Sequence, residues 1–115
     1  MTGKPVKALP KVAADLQAAV AHYRSWRVDG KEHLLRKYEE VVGVIALNSD
    51  SFSRKHGEVR RAILRQSYYL VYFLAEPERV VVMAVLDGRR NPREIQAIIT
   101  RRKPSWPTRR ITSSQ

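Results

Sequence analysis

SYYLVYFLAEPERVVVMAVLDGRR, residues 67–90, decides the fold. It holds two apolar runs separated by Glu76-Pro77-Glu78-Arg79 and closed by Gly88, Arg89 and Arg90. Tyr, Val, Phe and Leu dominate both runs, the residues that paired strands favour. Pro77 brings no amide proton to a ladder, which places it in the turn between them. The stretch is read as a long β-hairpin whose second strand carries Arg89 and Arg90 to one edge of a sheet. Alternation puts Tyr68, Leu70, Tyr72 and Leu74 on one face and Tyr69, Val71 and Phe73 on the other. Both faces are apolar, so each needs a cover.

The covers lie on either side of the hairpin in the chain. Pro5–Leu9 reads as a short strand ended by Pro10, and proline suits the first turn of a helix. Val12, Leu16, Ala19, Val20 and Tyr23 then form one helical stripe. Asp29-Gly30 marks a turn. From about Lys31 a second stripe runs through Leu34, Leu35, Tyr38, Val41, Val42 and Ile45, and ends at Asn48-Ser49-Asp50-Ser51. So short a link makes the two helices antiparallel. Residues 52–58, FSRKHGE, read as a polar loop, and Val59–Leu64 as a strand, although VRRAIL alternates poorly. After the hairpin, Asn91 caps a helix with Pro92 at its first position and Glu94 in its first turn. Ile95, Ile98 and Ile99 give it an apolar edge. From Arg101 the run RRKPSWPTRRITSSQ, with its prolines, charges and serines, reads as a basic mobile tail. The expectation is a single domain over residues 1–100 and a tail over 101–115. The fold class is α+β: an N-terminal strand, an antiparallel helical pair, a three-stranded antiparallel meander and a short C-terminal helix.

Composition narrows the chemistry. A chain of 115 residues makes one domain. Its net charge is +11, from 22 basic and 11 acidic residues, a balance that favours a polyanion or an acidic protein as partner. Cysteine is absent, which excludes disulfides and thiolate–zinc sites. The N-terminal residues show no signal-peptide pattern, and the longest apolar runs are far below the roughly 20 residues of a bilayer span. A cytoplasmic protein with no membrane partner is expected. No phosphate loop, metal-ligand spacing or Ser/His/Asp set is present, so no cofactor and no metal are expected.

The order of elements and two stretches resemble the RelE/ParE toxin superfamily, whose members are toxins of type II toxin–antitoxin pairs. VKALPKVAADLQAAVAHY resembles its opening strand and first helix. YYLVYFLAEPERVVVMAVLDGRRNPREI resembles its hairpin and closing segment, and is the more specific of the two. The last strand of the ParE-like branch typically ends in a Leu-His-Gly-Arg-Arg-like run; here it is Leu86-Asp87-Gly88-Arg89-Arg90, with Asp87 in place of His. The resemblance implies a cognate antitoxin as partner. The RelE-like branch cleaves ribosome-bound mRNA with a set of basic residues and often a Tyr or His near the C-terminus. Here Tyr69 and Gln96 fall where that pattern has Arg and Tyr, and His22, His33 and His56 all precede the hairpin. The ParE-like branch, whose characterised members poison DNA gyrase, is therefore the nearer one.

The candidate target-binding residues are Arg89, Arg90, Arg93 and Arg65. Three arginines beside a helix start carry a small electrostatic cost with no local return, which favours a recognition role. A ribonuclease reading, with ribosome and mRNA as partners, would rest on Arg60, Arg61 and Arg90. If residues 59–64 are a strand, Arg60 and Arg61 point to opposite faces. Tyr68, Tyr69 and Tyr72 are expected to pack in the core, and the three histidines to be solvated. Arg101, Arg102, Lys103, Arg109 and Arg110 are assigned to the tail as solubilising charge, beside Trp106. A nucleic-acid-binding module of the same fold is the remaining alternative.

Overall fold

The computed structural model describes residues 3–25 and 28–103. The hairpin is there as read: β4 (Tyr69–Ala75) and β5 (Val80–Asp87) pair antiparallel, and the Glu76 amide closes the turn on the Arg79 carbonyl at 2.9 Å. They are the middle of a five-stranded sheet ordered β1-β5-β4-β3-β2. The N-terminal strand β1 (Val6–Ala8) runs parallel to β5, and β3 (Val59–Ile63) antiparallel to β4. The sheet is mixed and mostly antiparallel.

Residues 52–58 depart from expectation. Arg54–His56 form a fifth strand, β2, antiparallel to β3 across an irregular register. The run is polar because it is a short edge strand, where charge is tolerated and discourages further pairing. Gly57, at φ +61°, supplies the left-handed turn between β2 and β3.

The two apolar faces receive two covers. On one, α1 (Lys11–Arg24) and α2 (Gly30–Asn48) pack Val12, Ala19, Tyr23, Leu34 and Ile45 against Tyr69, Val71, Phe73, Val80, Val82 and Val85. On the other, Ile95 and Ile99 of α3 (Pro92–Arg102) cover Val59, Tyr72, Leu74, Val81, Met83, Ala84 and Leu86. The Asn91 side chain accepts from the Arg93 amide at 2.8 Å, the expected cap. Helix α3 continues through Arg101 and Arg102, past the end of its apolar edge.

A β-bulge explains that extension. Tyr72 pairs with Ala84 and Phe73 with Val82, which leaves Met83 as an extra residue in β5. The bulge turns one backbone carbonyl and one amide outward, beyond the reach of the short β1. Arg102 donates to the Met83 carbonyl at 3.1 Å, and the Val85 amide donates to Asp15 Oδ2 at 2.9 Å. Arg102 and Asp15 meet in a two-pronged ion pair at 2.6 and 3.0 Å. Their side chains are only 15% and 9% exposed. One pair thus ties α1, β5 and α3 together at the sheet edge. Arg102 is part of the folded core rather than loose solubilising charge.

Candidate functional site

The strand end carrying the arginines is shaped by a tight turn. β5 stops at Asp87, the Gly88 amide donates to the Tyr68 carbonyl at 2.6 Å, and the Arg90 amide donates to the Asp87 carbonyl at 3.1 Å. A Cβ at Gly88 would lie 2.9 Å from Leu70 Cδ1 and 3.1 Å from the Tyr68 carbonyl, so the close approach requires glycine. The β3–β4 turn, with Arg65 and a left-handed Gln66 (φ +62°), lies at the same end of the sheet. Arg65, Arg89, Arg90 and Arg93 therefore share one end of the sheet and are all exposed.

They are not equivalent. Arg89 is held: Nε donates to Asp87 Oδ1 at 3.1 Å and Nη2 to Oδ2 at 2.9 Å, and its guanidinium carbon sits 4.0 Å over the Tyr68 ring. These hydrogen bonds keep the Asp87 carboxyl below the usual carboxylate range. Asp87, standing where the ParE-like pattern has His, thus neutralises Arg89 and fixes its plane. Among the described residues Arg90 has one ion-pair partner, the exposed Glu94 at 4.0 Å, and Arg93 contributes its amide to the α3 cap while its side chain is exposed. The available charge of the cluster lies on Arg90, Arg93 and Arg65.

Arg60 and Arg61 leave the sheet on opposite faces, as alternation requires. Arg60 binds the Phe52 carbonyl at 2.6 Å and approaches Asp50 at 3.7 Å, clipping β3 to the turn after α2. Arg61 lies beside the Tyr72 hydroxyl on the α3 face. Arg90 lies past the end of β5, beyond the Ala84 that pairs with Tyr72. The set Arg60, Arg61 and Arg90 is not brought together.

The histidines depart from expectation. His33 is buried at 8% exposure and stacks on Tyr23, with ring centres 6.1 Å apart. His56 precedes the hairpin in sequence but not in space: β2 carries it to 5.7 Å from the Tyr72 ring. Burial, and then the Arg61 charge, push its pKa below the ordinary 6.5. The missed signal was β2 itself, since a polar edge strand lacks the alternation that reveals strands. Of the tyrosines, Tyr69 and Tyr72 are core as expected, whereas Tyr68 is 49% exposed. Arg101 and Lys103 are exposed, and Trp106, Arg109 and Arg110 lie outside the described residues. No group of three or more metal-ligating side chains occurs among the described residues. No helix among them is long and apolar enough to cross a membrane.

Comparison with known proteins places this architecture. Residues 6–92 match the family described as "ParE toxin of type II toxin-antitoxin system, parDE". The chain belongs to the ParE toxin family. No curated protein matches it. Among solved structures, a chain of the "Chromosomal ParDE TA system from P. aeruginosa" is similar, with a TM-score of 0.53 at 19% identity, over 71% of this chain and 92% of that one. At that identity the likeness concerns the fold alone. The matched region begins at β1 and ends at Pro92, so it contains the strand end with Arg89 and Arg90.

Proposed function

We propose that this ParE-family chain acts by binding a protein target through the cationic strand end, and that a cognate antitoxin neutralises it. The observation that carries the reading is the division of labour among the arginines. Asp87 and Tyr68 fix Arg89 in place, which braces the turn. Arg90 and Arg93 project beside it with little local compensation. A rigid turn presenting planar guanidinium groups suits carboxylates or phosphates on a macromolecular surface. DNA gyrase is the candidate target that the family suggests. The RelE-type nuclease reading gains little support, because Arg60 is spent on Phe52 and Asp50 and Arg90 lies apart from Arg61.

The test is induced expression without antitoxin, scored in parallel for DNA-damage signalling and for mRNA cleavage. Growth arrest with damage signalling and intact mRNA is the expected result. Ribosome-bound mRNA cut at defined positions by the purified protein would replace this reading with a nuclease.

A further inference from the structure

A cleft of about 330 Å³ opens at the strand end, on the side of the sheet that carries α1 and α2. Tyr23, Gln66, Ser67 and Tyr68 line it. The hydroxyls of Tyr23 and Ser67 are engaged in holding the turn that forms it. Tyr23 donates to the Gln66 carbonyl at 3.1 Å. Ser67 donates to the Leu64 carbonyl at 2.7 Å and accepts from the Tyr69 amide at 3.0 Å. What the cleft presents is aromatic surface. Tyr23 is 4% exposed and packs edge-on against Tyr69; Tyr68 is 49% exposed, with the Arg89 guanidinium stacked on its ring. Gln66 is held at φ +62°, a conformation that glycine adopts freely, so a side chain is kept at the cleft against the local preference of the backbone. The charge left over beside the cleft is positive. Arg65 adjoins Gln66 in the chain and Arg90 adjoins Arg89, and no ion pair among the described residues engages Arg65 or Arg93.

We propose that this cleft anchors the partner protein: it takes one aromatic side chain of an acidic peptide segment, whose flanking carboxylates meet Arg65, Arg90 and Arg93. This rests on the protein-binding strand end proposed above and names the chemistry of the segment bound there. The distribution of charge decides for a peptide over a nucleic acid. Arg89, the cation stacked on the cleft wall, is neutralised by Asp87 through two hydrogen bonds, at 3.1 and 2.9 Å. The centre is therefore aromatic and without net charge, and the available arginines lie at its margin. A neutral aromatic centre inside a charged rim is the anatomy of a protein interface, where a few aromatic and arginine contacts carry the affinity. A polynucleotide instead needs a row of cations that tracks its phosphates, and Asp87 interrupts that row. The volume is at the low end for a complete small ligand, and the hydroxyls that would orient one are engaged, which leaves a single large side chain as the occupant. The Leu64 amide closes the turn on the Tyr69 carbonyl at 2.9 Å, so the cleft is formed before the partner arrives and little ordering opposes binding. The net charge of +11 favours acidic residues on either side of the anchor.

The experiment is fluorescence anisotropy of the full chain with labelled Glu-rich peptides that carry either a central Trp or a central Gly. A Gln-for-Glu version of the Trp peptide and a single-stranded oligonucleotide of equal length complete the set. The Trp peptide is expected to bind about tenfold more tightly than the Gly peptide. Tyr68→Ala should erase that preference, leaving both peptides at the affinity of the Gly peptide, because only the anchor meets the cleft. Arg65→Gln should weaken both Glu-rich peptides by the same factor and reduce their salt dependence. Gln66→Gly should lose part of the preference without lowering Tm, since glycine relieves the left-handed conformation; it decides the matter if Tyr68→Ala fails to fold. Equal binding of the Trp and Gly peptides, a Gln-for-Glu peptide bound as tightly as its Glu-rich parent, or an oligonucleotide bound more tightly than the Trp peptide would each overturn the proposal. Growth inhibition in cells separates the cleft from the surface around it. Arrest relieved by Arg90→Ala while the peptides fail to bind would overturn the cleft alone. Arrest unchanged by Arg90→Ala would overturn the protein-binding strand end, and the cleft with it.

Discussion

Removing the Asp15 carboxylate tests the bulge lock directly. In Asp15→Ala, the Arg102 guanidinium keeps only the Met83 carbonyl, at 3.1 Å, and the Val85 amide loses its acceptor. Both ends of the ion pair are largely shielded from water, at 9% and 15% exposure, so solvent screening does not erase the effect. Breaking a buried pair by deleting one partner typically costs about 3–5 kcal/mol. In a domain of this size each kcal/mol lowers Tm by about 4–8 °C, so the expected fall is about 12–40 °C. Desolvation makes the pair as a whole worth much less than its breakage. Asp15→Leu with Arg102→Met should therefore recover more than half of the loss, held back by the unsatisfied Val85 amide and Met83 carbonyl. Thermal melts of the three proteins give the comparison. Hydrogen exchange should show α3 opening first in Asp15→Ala, since its other anchors are mainly Ile95 and Ile99. A fall below about 4 °C for Asp15→Ala, or a double variant as unstable as the single, would refute the reasoning.

Arg89→Ala with Arg90→Ala should abolish growth inhibition at equal expression, and Arg90→Ala alone should account for most of that loss because Arg89 is engaged by Asp87; undiminished toxicity would move the active surface elsewhere. Gly30→Ala should lower Tm by roughly 4–24 °C, because the new Cβ would stand 2.7 Å from the Tyr23 carbonyl group, and overpacking costs about 1–3 kcal/mol; an unchanged melt would show that the α1–α2 corner opens freely. His56 followed by NMR should titrate below the ordinary 6.5, and Arg61→Gln should raise its pKa only part of the way, since burial is the larger cause. On acidification the unfolded chain binds that proton first, so His56 lowers stability as pH falls below about 6.5 and has no effect above it; an unperturbed titration would place the imidazole in open solvent.

The hairpin was legible because its residues obey one rule on both faces: alternation and β-branching identify β4 and β5, and Pro77 identifies their turn. The stripes of α1 and α2 were legible for the same reason at helical period, and Asn91-Pro92 announced α3. What stayed hidden was set by pairing rather than by pattern. β2 is polar because it is an edge, so FSRKHGE carries no alternation, and with β2 went the placement of His56. Arg102 looked like the start of a charged tail because its partner, Asp15, lies 87 positions away. The bulge at Met83 leaves no mark in VVVMAVLD, which is apolar throughout. At the candidate site, the shared position of Arg89, Arg90 and Arg93 could be read from their adjacency. The engagement of Arg89 with Asp87 and Tyr68, which sets it apart from the other two, could not.

β1 is short, and that leaves the outer edge of β5 partnered only over residues 80–82, while β4 pairs its other edge throughout. Past Val82 that edge would show an open ladder to any neighbouring chain, along the apolar run of residues 83–86. The Asp15 carboxylate and the Arg102 guanidinium occupy two of the docking points such a neighbour would need. They serve as a shutter against self-association as well as a clasp. A cell carrying a weakened version would meet the defect first as protein lost to inclusion bodies, before any change in how the surviving molecules act.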